Sequence, residues 1–283
     1  MMKRCRSPPL PGVRGADVLE ALQNALMQLH NARSAGHSPD ESIDAYVRWA
    51  SEAARQLRHR IRPDDVALLI LTRGYHSLLT LAATSAVVTN ATLELEIDDR
   101  LAELDTVQRS LQVEVTRWAT GRVLVVLDTN VYLHEQKIET LDLAAILQVR
   151  EEGIRVLVPM VVVDELDRLK QHSKDAIRWR AGYTLSFLDR HLNGSSLQGR
   201  IREEDFSALS QGGIPRGEIS AEVVLDPKRH RRLPIADDEI VDRAIAIQGI
   251  AGQTVHLVTF DTGMAMRGRA AGLTVHKRDM PTK

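Results

Sequence analysis

The chain has 283 residues, of which 43% are hydrophobic and 27% charged, with one cysteine, a net charge of −1 and a pI near 6.8. This is ordinary globular composition, long enough for one large core or two smaller ones. It excludes a disulfide framework, a thiolate metal site and a global basic field for nucleic acid, so any such binding must come from local patches.

The opening residues 1–15 are rich in Pro, Gly and Arg, contain Cys5 and read as disordered. They lack the apolar stretch of a signal peptide. From Ala16 to Ala35, Val18, Leu19, Leu22, Leu26 and Leu29 follow helical spacing. Ser38-Pro39 then supplies a cap and a first-turn proline for a second helix with Ile43, Tyr46, Val47, Ala50 and Leu57 on one side. Pro63 starts another helical piece. Val66–Val88 is nearly long enough to span a bilayer, but Arg73, Gly74 and His76 interrupt it, which predicts two short buried helices. Asn90 to Ala119 reads as one long helix. The first domain, 16–120, is therefore all-helical, and no motif in it points to chemistry.

At Gly121 the period changes. Val123–Leu127 is a short apolar run ending in Asp128, Thr129 and Asn130, which suits a central parallel strand covered on both faces. A helix over about 141–152, a strand at Arg155–Val158, and helices over 161–170 and 174–192 follow. Residues 193–217 read as a polar, Gly-rich loop. Ile219 to Leu225 alternates as a half-exposed strand, giving a loop-and-strand insert over about 193–234. A helix from Asp237 to Gly249, a strand at Val255–Thr259, a helix over Met264–Ala271 and a strand near Leu273–His276 complete the chain. Alternating strands and helices predict an α/β domain over 121–283, a parallel twisted sheet flanked by helices and preceded by the helical domain.

Acids stand at the ends or starts of four of these elements: Asp128 after the first strand, Glu165 early in the helix of VPMVVVDELDRLK, Asp237 and Asp238 in IADDEIVDRA, and Asp261 after HLVTF. If the strands are parallel, these positions share one edge. Crowded carboxylates repel unless a cation offsets them, and all-oxygen donors suit Mg²⁺ or Mn²⁺. One or two such ions serve phosphodiester hydrolysis. Singly, each acid has a plain structural reading: Asp237 and Asp238 as helix caps, Asp261 as a turn former, Asp164 and Asp167 as solvated helix charges. The ordered set of four is what points to a metal site.

That set resembles the PIN-domain ribonuclease family, through LDTNVYL, VPMVVVDELDRLK, ADDEIVDRA and VTFDTGMAMRGRAAGL, over roughly residues 121–279. The resemblance implies Mg²⁺- or Mn²⁺-dependent RNA cleavage on a parallel sheet. It implies Asp128, Glu165, Asp237 and Asp261 as metal ligands, with Asp238 able to replace or assist Asp237. It also implies Asn130 and Thr259 as polar residues that orient ligands or water. The insert is longer than in the compact toxin members of the family.

The basic run Lys228, Arg229, His230, Arg231, Arg232 precedes the acidic helix and is either a grip on the RNA backbone or a solvated loop. Lys170, Lys174, Arg178 and Arg180 read as an ordinary exposed face. With three Trp, four Tyr and three Phe, no extensive base-stacking platform is expected. His134 and His172 are proton-transfer candidates by residue type alone, and His256 and His276 read as structural. The expectation is a cytoplasmic, membrane-free endoribonuclease acting on RNA, with the helical domain as the surface for self-association or a protein partner. The alternative is a non-catalytic RNA-binding scaffold. A phosphatase with Asp128 as nucleophile is disfavoured because Asn130 stands where a second Asp is needed. DNA remains open as substrate.

Overall fold

The computed structural model describes residues 8–35, 38–81, 86–119, 121–150, 152–192, 194, 197–227 and 230–280. They fall into two compact units, one reaching to Ala119 and including Gly249–Gly252, the other formed by the remainder.

The first unit is helical: α1 (Gly15–Ala35), α2 (Pro39–Leu57), α3 (Pro63–Leu69), α4 (Arg73–Leu81) and α5 (Ala86–Trp118). Ser38 starts α2 with a capping box, its hydroxyl accepting from the Glu41 N–H while the Glu41 carboxylate accepts from the Ser38 N–H. Leu22, Leu29, Leu57, Leu104 and Leu111 are fully buried where α1, α2 and α5 pack. Inside that core Glu96 accepts from the Tyr46 hydroxyl at 3.0 Å and from Thr72, and pairs with Arg100 at 3.2 Å. Every partner is supplied from within the unit, so the network is a structural one.

Two expectations for this unit are corrected. Residues 8–14 are ordered, because the Leu10 N–H donates to the Arg60 carbonyl at 2.8 Å and Pro9 bridges Ile61; residues 1–7, with Cys5, lie outside the described residues. The helices α3 and α4 each bury only one side: Val66, Leu69 and Leu78 are inside, Leu68 and Leu79 exposed. Among the described residues no helix is long and apolar enough to cross a membrane.

The second unit is built from β1 (Val123–Leu127), α6 (Thr129–His134), α7 (Leu143–Leu147), β2 (Ile154–Pro159), α8 (Met160–Leu169), α9 (Asp175–His191), β3 (Gln198–Arg202), β4 (Ile219–Val224), α10 (Ala236–Ala251), β5 (Val255–Thr259), α11 (Thr262–Ala270) and β6 (Thr274–Lys277). The six strands form one sheet in the order β3-β4-β2-β1-β5-β6. All neighbours are parallel except β3, which runs antiparallel to β4. The apolar run makes β1 a central strand, buried from Leu124 to Leu127, with Val126 opposite Leu157 and Leu127 opposite Val258. Its C-terminal end therefore opens in the middle of one sheet edge.

The expected helix over 141–152 is only five residues long. Asp142 caps its start by accepting from the Ala145 N–H at 3.2 Å, and Gln148 ends it in the left-handed region at φ 58°. The expected loop 193–217 contains β3. Gly199 reads as loop sequence yet sits in that strand because the backbone of α9 crosses it: a Cβ there would lie 1.8 Å from the His191 carbonyl oxygen.

The half-exposed strand also proves otherwise, since Ile219, Ser220, Ala221 and Glu222 of β4 are all buried. Its polar side faces arginines rather than water. Arg122 donates to Ser220 at 2.9 Å and pairs with Glu218, while Arg155 of β2 pairs with the fully buried Glu222 at 3.4 Å. Removing one member of a buried pair leaves the other uncompensated. Glu222→Ala is therefore expected to lower stability by about 3–5 kcal/mol, read from the urea midpoint, whereas a shift below about 1 kcal/mol would show that water reaches Arg155.

Candidate metal centre at the sheet edge

Asp128 is the first residue past β1. Its N–H continues the sheet by donating to the Val258 carbonyl at 3.0 Å, and its extended backbone (φ −62°, ψ 150°) turns the chain into α6. The carboxylate is only 3% exposed. Its Oδ2 accepts from the Thr259 hydroxyl at 2.9 Å, and that hydroxyl accepts from the Asp261 N–H at 3.0 Å. A hydroxyl has one proton. With one lone pair accepting from the Asp261 N–H, fully buried Thr259 delivers that proton to Asp128.

Burial pushes the Asp128 carboxyl up to about 6. The Thr259 hydrogen bond and the Asn130 N–H work against that rise, though the Asn130 N–H falls short of a capping bond, while the charges of Asp237 and Glu165 add to it. Asp237 is itself raised, by burial and then by Asp261, with Asp238 contributing and Arg267 opposing. The four acids expected at the edge thus act on one another in a chain, Glu165 to Asp128 to Asp237 to Asp261.

Each acid is held differently. Glu165 lies midway along α8, where its Oε2 accepts from the Thr129 hydroxyl at 2.6 Å. Asp261 caps α11, its Oδ1 accepting from the Met264 N–H at 2.6 Å. Asp237 and Asp238 are not helix caps, because α10 already begins at Ala236; they occupy its first turn, still favourable against the dipole. Arg267 of α11 bridges them, to Asp237 Oδ2 at 3.1 Å and to Asp238 Oδ1 at 3.1 Å. Among the described residues Asp128, Glu165 and Asp261 have no cationic partner.

The remaining candidates divide. Asn130 is exposed in the first turn of α6, one residue beyond Thr129. His134 is exposed with its ring edge-on to Phe260, and His172 accepts from the Lys174 N–H. His256 and His276 bond each other across β5 and β6 at 2.8 Å. Lys228 and Arg229 lie outside the described residues. Arg232 is engaged by Asp164 and Asp226, so Asp164 is no simple solvated charge, while Arg231 is exposed.

Fully buried Glu239 fixes this segment, accepting from the Leu233 N–H at 2.8 Å and pairing with His230 at 2.7 Å. His230, Glu239 and Asp242 offer ligand atoms within 4.8 Å of one another. Arg243 bonds both acids, however, and balances that cluster from within. Of the second basic group, Arg180 is no solvated face: it donates to the Tyr132 and Glu135 carbonyls at the end of α6.

Thr129, Arg267 and Glu239 are the site residues that sequence reasoning missed. For Thr129 a signal existed, since a hydroxyl directly after the strand-ending acid is placed to reach the next element on that edge.

The expected acids thus stand within electrostatic reach of one another near the C-terminal end of a central parallel strand, where open α/β sheets place their ligands. The profile of the PIN domain matches residues 125–278, more than half of the chain. The chain belongs to the PIN domain family, a fold generally used by nucleases. A search of curated proteins returned no match.

The residues present fit the divalent metal generally used by this family. The candidate donors are all carboxylate oxygens, and Asp128 is buried within reach of like charges, its side chain held by the Thr259 hydroxyl. The site's electrostatics also set a stability dependence. The native value of Asp128, about 6, lies above its ordinary 3.8, so between the two the folded chain keeps a proton that the unfolded chain has released. Stability falls as pH rises through that window, by up to about 3 kcal/mol. In EDTA, Asp128→Asn is expected to raise the melting temperature at neutral pH, the gain fading toward about pH 4. Equal gains at both pH values would mean the carboxyl titrates normally.

Proposed function

We propose that this protein is a metal-dependent endoribonuclease that hydrolyses RNA phosphodiester bonds at the β1 edge. The observation that carries the reading is Asp128, a buried carboxylate held by Thr259, exposed to the charges of Glu165 and Asp237, and paired with no cation among the described residues. Asp128, Glu165, Asp237 and Asp261 would hold the ion, with Asp238 beside them. A bound Mg²⁺ or Mn²⁺ supplies the charge that neutralises the phosphate and acidifies water.

The chain's own part is to fix the acids before the substrate arrives. Thr259 orients Asp128 and Thr129 orients Glu165. The Met264 N–H holds one Asp261 oxygen and leaves the other for a cation or a water. Exposed Asn130 is assigned to hydrogen-bond water or a phosphate oxygen beside the acids. Arg231, together with Lys228 and Arg229, is assigned to the RNA backbone; Arg232 joins them only when it leaves Asp164 and Asp226. RNA rather than DNA is the substrate on family grounds, and the helical unit is the candidate surface for self-association or a protein partner.

The test is cleavage of a mixed-sequence single-stranded RNA by the full chain in Mn²⁺, in Mg²⁺ and in EDTA. Metal-dependent cleavage is expected in the parent, with loss to background in Asp128→Asn and Asp237→Asn. Thr259→Val, which removes only the orienting hydroxyl, is expected to lower activity about 10- to 100-fold. Unchanged cleavage in Asp128→Asn would overturn the assignment.

A second reading, a non-catalytic RNA-binding protein, is favoured by one feature: Arg267 already neutralises Asp237 and Asp238. Absence of any thermal shift with Mn²⁺ or Mg²⁺, with RNA binding intact, would support it.

A further inference from the structure

One tryptophan stands apart from the other two. Trp49 and Trp118 are 4% and 3% exposed, whereas Trp179, in the second turn of α9, is 59% exposed. It is not a loose surface residue. Its ring stacks on Tyr183 with centroids 5.3 Å apart and planes 23° from parallel. Tyr183 is fixed in turn by a hydrogen bond to Glu139 and by the Lys137 ammonium, 4.3 Å from its ring centroid and 5.9 Å from that of Trp179. Trp179 also forms one wall of an open cavity of about 430 Å³ lined by Leu133, Glu135, Asp175, Ala176 and Arg180. That volume is within the range that takes a small ligand.

The place of this stack relates it to the acidic edge. Leu133, on the cavity wall, is four residues along α6 from Thr129, which bonds Glu165. Four helical residues rise about 6 Å. Arg180, on the same wall, fastens α9 to α6 through the Tyr132 and Glu135 carbonyls, so the stack and the first acid of the site share one rigid pair of helices. The Lys137 ammonium borders it and is engaged by no acid among the described residues. The carboxylates beside it are already engaged, Glu135 by Arg278 at 3.1 Å and Asp175 by Arg178. An open indole face bordered by the Lys137 ammonium matches a nucleobase carried on a phosphate chain. Stacking supplies affinity, and Lys137 meets a phosphate.

We propose that Trp179, braced by Tyr183, is the platform on which one base of a single-stranded RNA sits beside the scissile position. The choice of RNA rests on the nuclease reading of the acidic edge; the platform itself is tested without cleavage. The assay uses the full-length chain in EDTA, titrated with a short mixed-sequence single-stranded RNA while tryptophan fluorescence is followed. Because the other two tryptophans are buried, quenching reports on Trp179. Quenching is expected, with affinity weakened roughly five- to 150-fold in Trp179→Ala, the range that truncating a base-stacking aromatic covers, and largely kept in Trp179→Phe. An RNA of equal length made abasic is expected to bind parent and Trp179→Ala alike.

No quenching, equal affinity in Trp179→Ala, or full quenching by the abasic strand would overturn the platform. DNA of the same sequence decides the sugar: weaker binding supports RNA as the occupant, and equal binding overturns that part. Parallel cleavage in Mn²⁺ separates the two readings. Quenching without cleavage sinks the nuclease and spares the platform, while cleavage with an unchanged KM in Trp179→Ala does the reverse.

Discussion

The structure of the edge depends on one hydrogen bond, from Thr259 to a carboxylate that water scarcely reaches. A buried acid among like charges is expensive. It is tolerable here because β5 lies in register with β1, bringing a hydroxyl whose only proton faces Asp128. The same hydroxyl accepts from the Asp261 amide, so two of the acids are set by a single threonine. Sheet register, the start of α11 and the position of two carboxylates are one arrangement.

The parallel strands were legible because continuous Val and Leu runs have few other uses. What the sequence hid was mostly a matter of partners. The alternation in β4 is the pattern of a strand with one wet face, and only the arginines from other segments reveal that Ser220 and Glu222 are dry. β3 was hidden by Gly199, which looks like a loop former but is needed where α9 crosses it. The helix α6 was missed because it is six residues long and begins on the same acid that ends the strand.

The candidate site follows the same division. Asp128, Asp237 and Asp261 sit at or beside element boundaries that local pattern marks, whereas Glu165 lies midway along α8. The groups that orient or neutralise them carry no such mark. Thr129 reaches Glu165 across 36 positions, and Arg267 reaches Asp237 across 30. Trp179 was invisible for another reason: helical spacing alone does not tell an exposed indole from a core one, and its partner Tyr183 is meaningful only once both rings are seen to stack.

Arg267 has a consequence for how the edge responds to its surroundings. A guanidinium remains charged across the physiological range, so no proton loss can remove this internal counter-ion from Asp237 and Asp238. Both sides of the pair are partly exposed, and mobile ions weaken such contacts. Any cation drawn to those two aspartates competes with a tethered one at fixed local concentration. Ionic strength, more than acidity, then governs how readily that half of the edge changes hands.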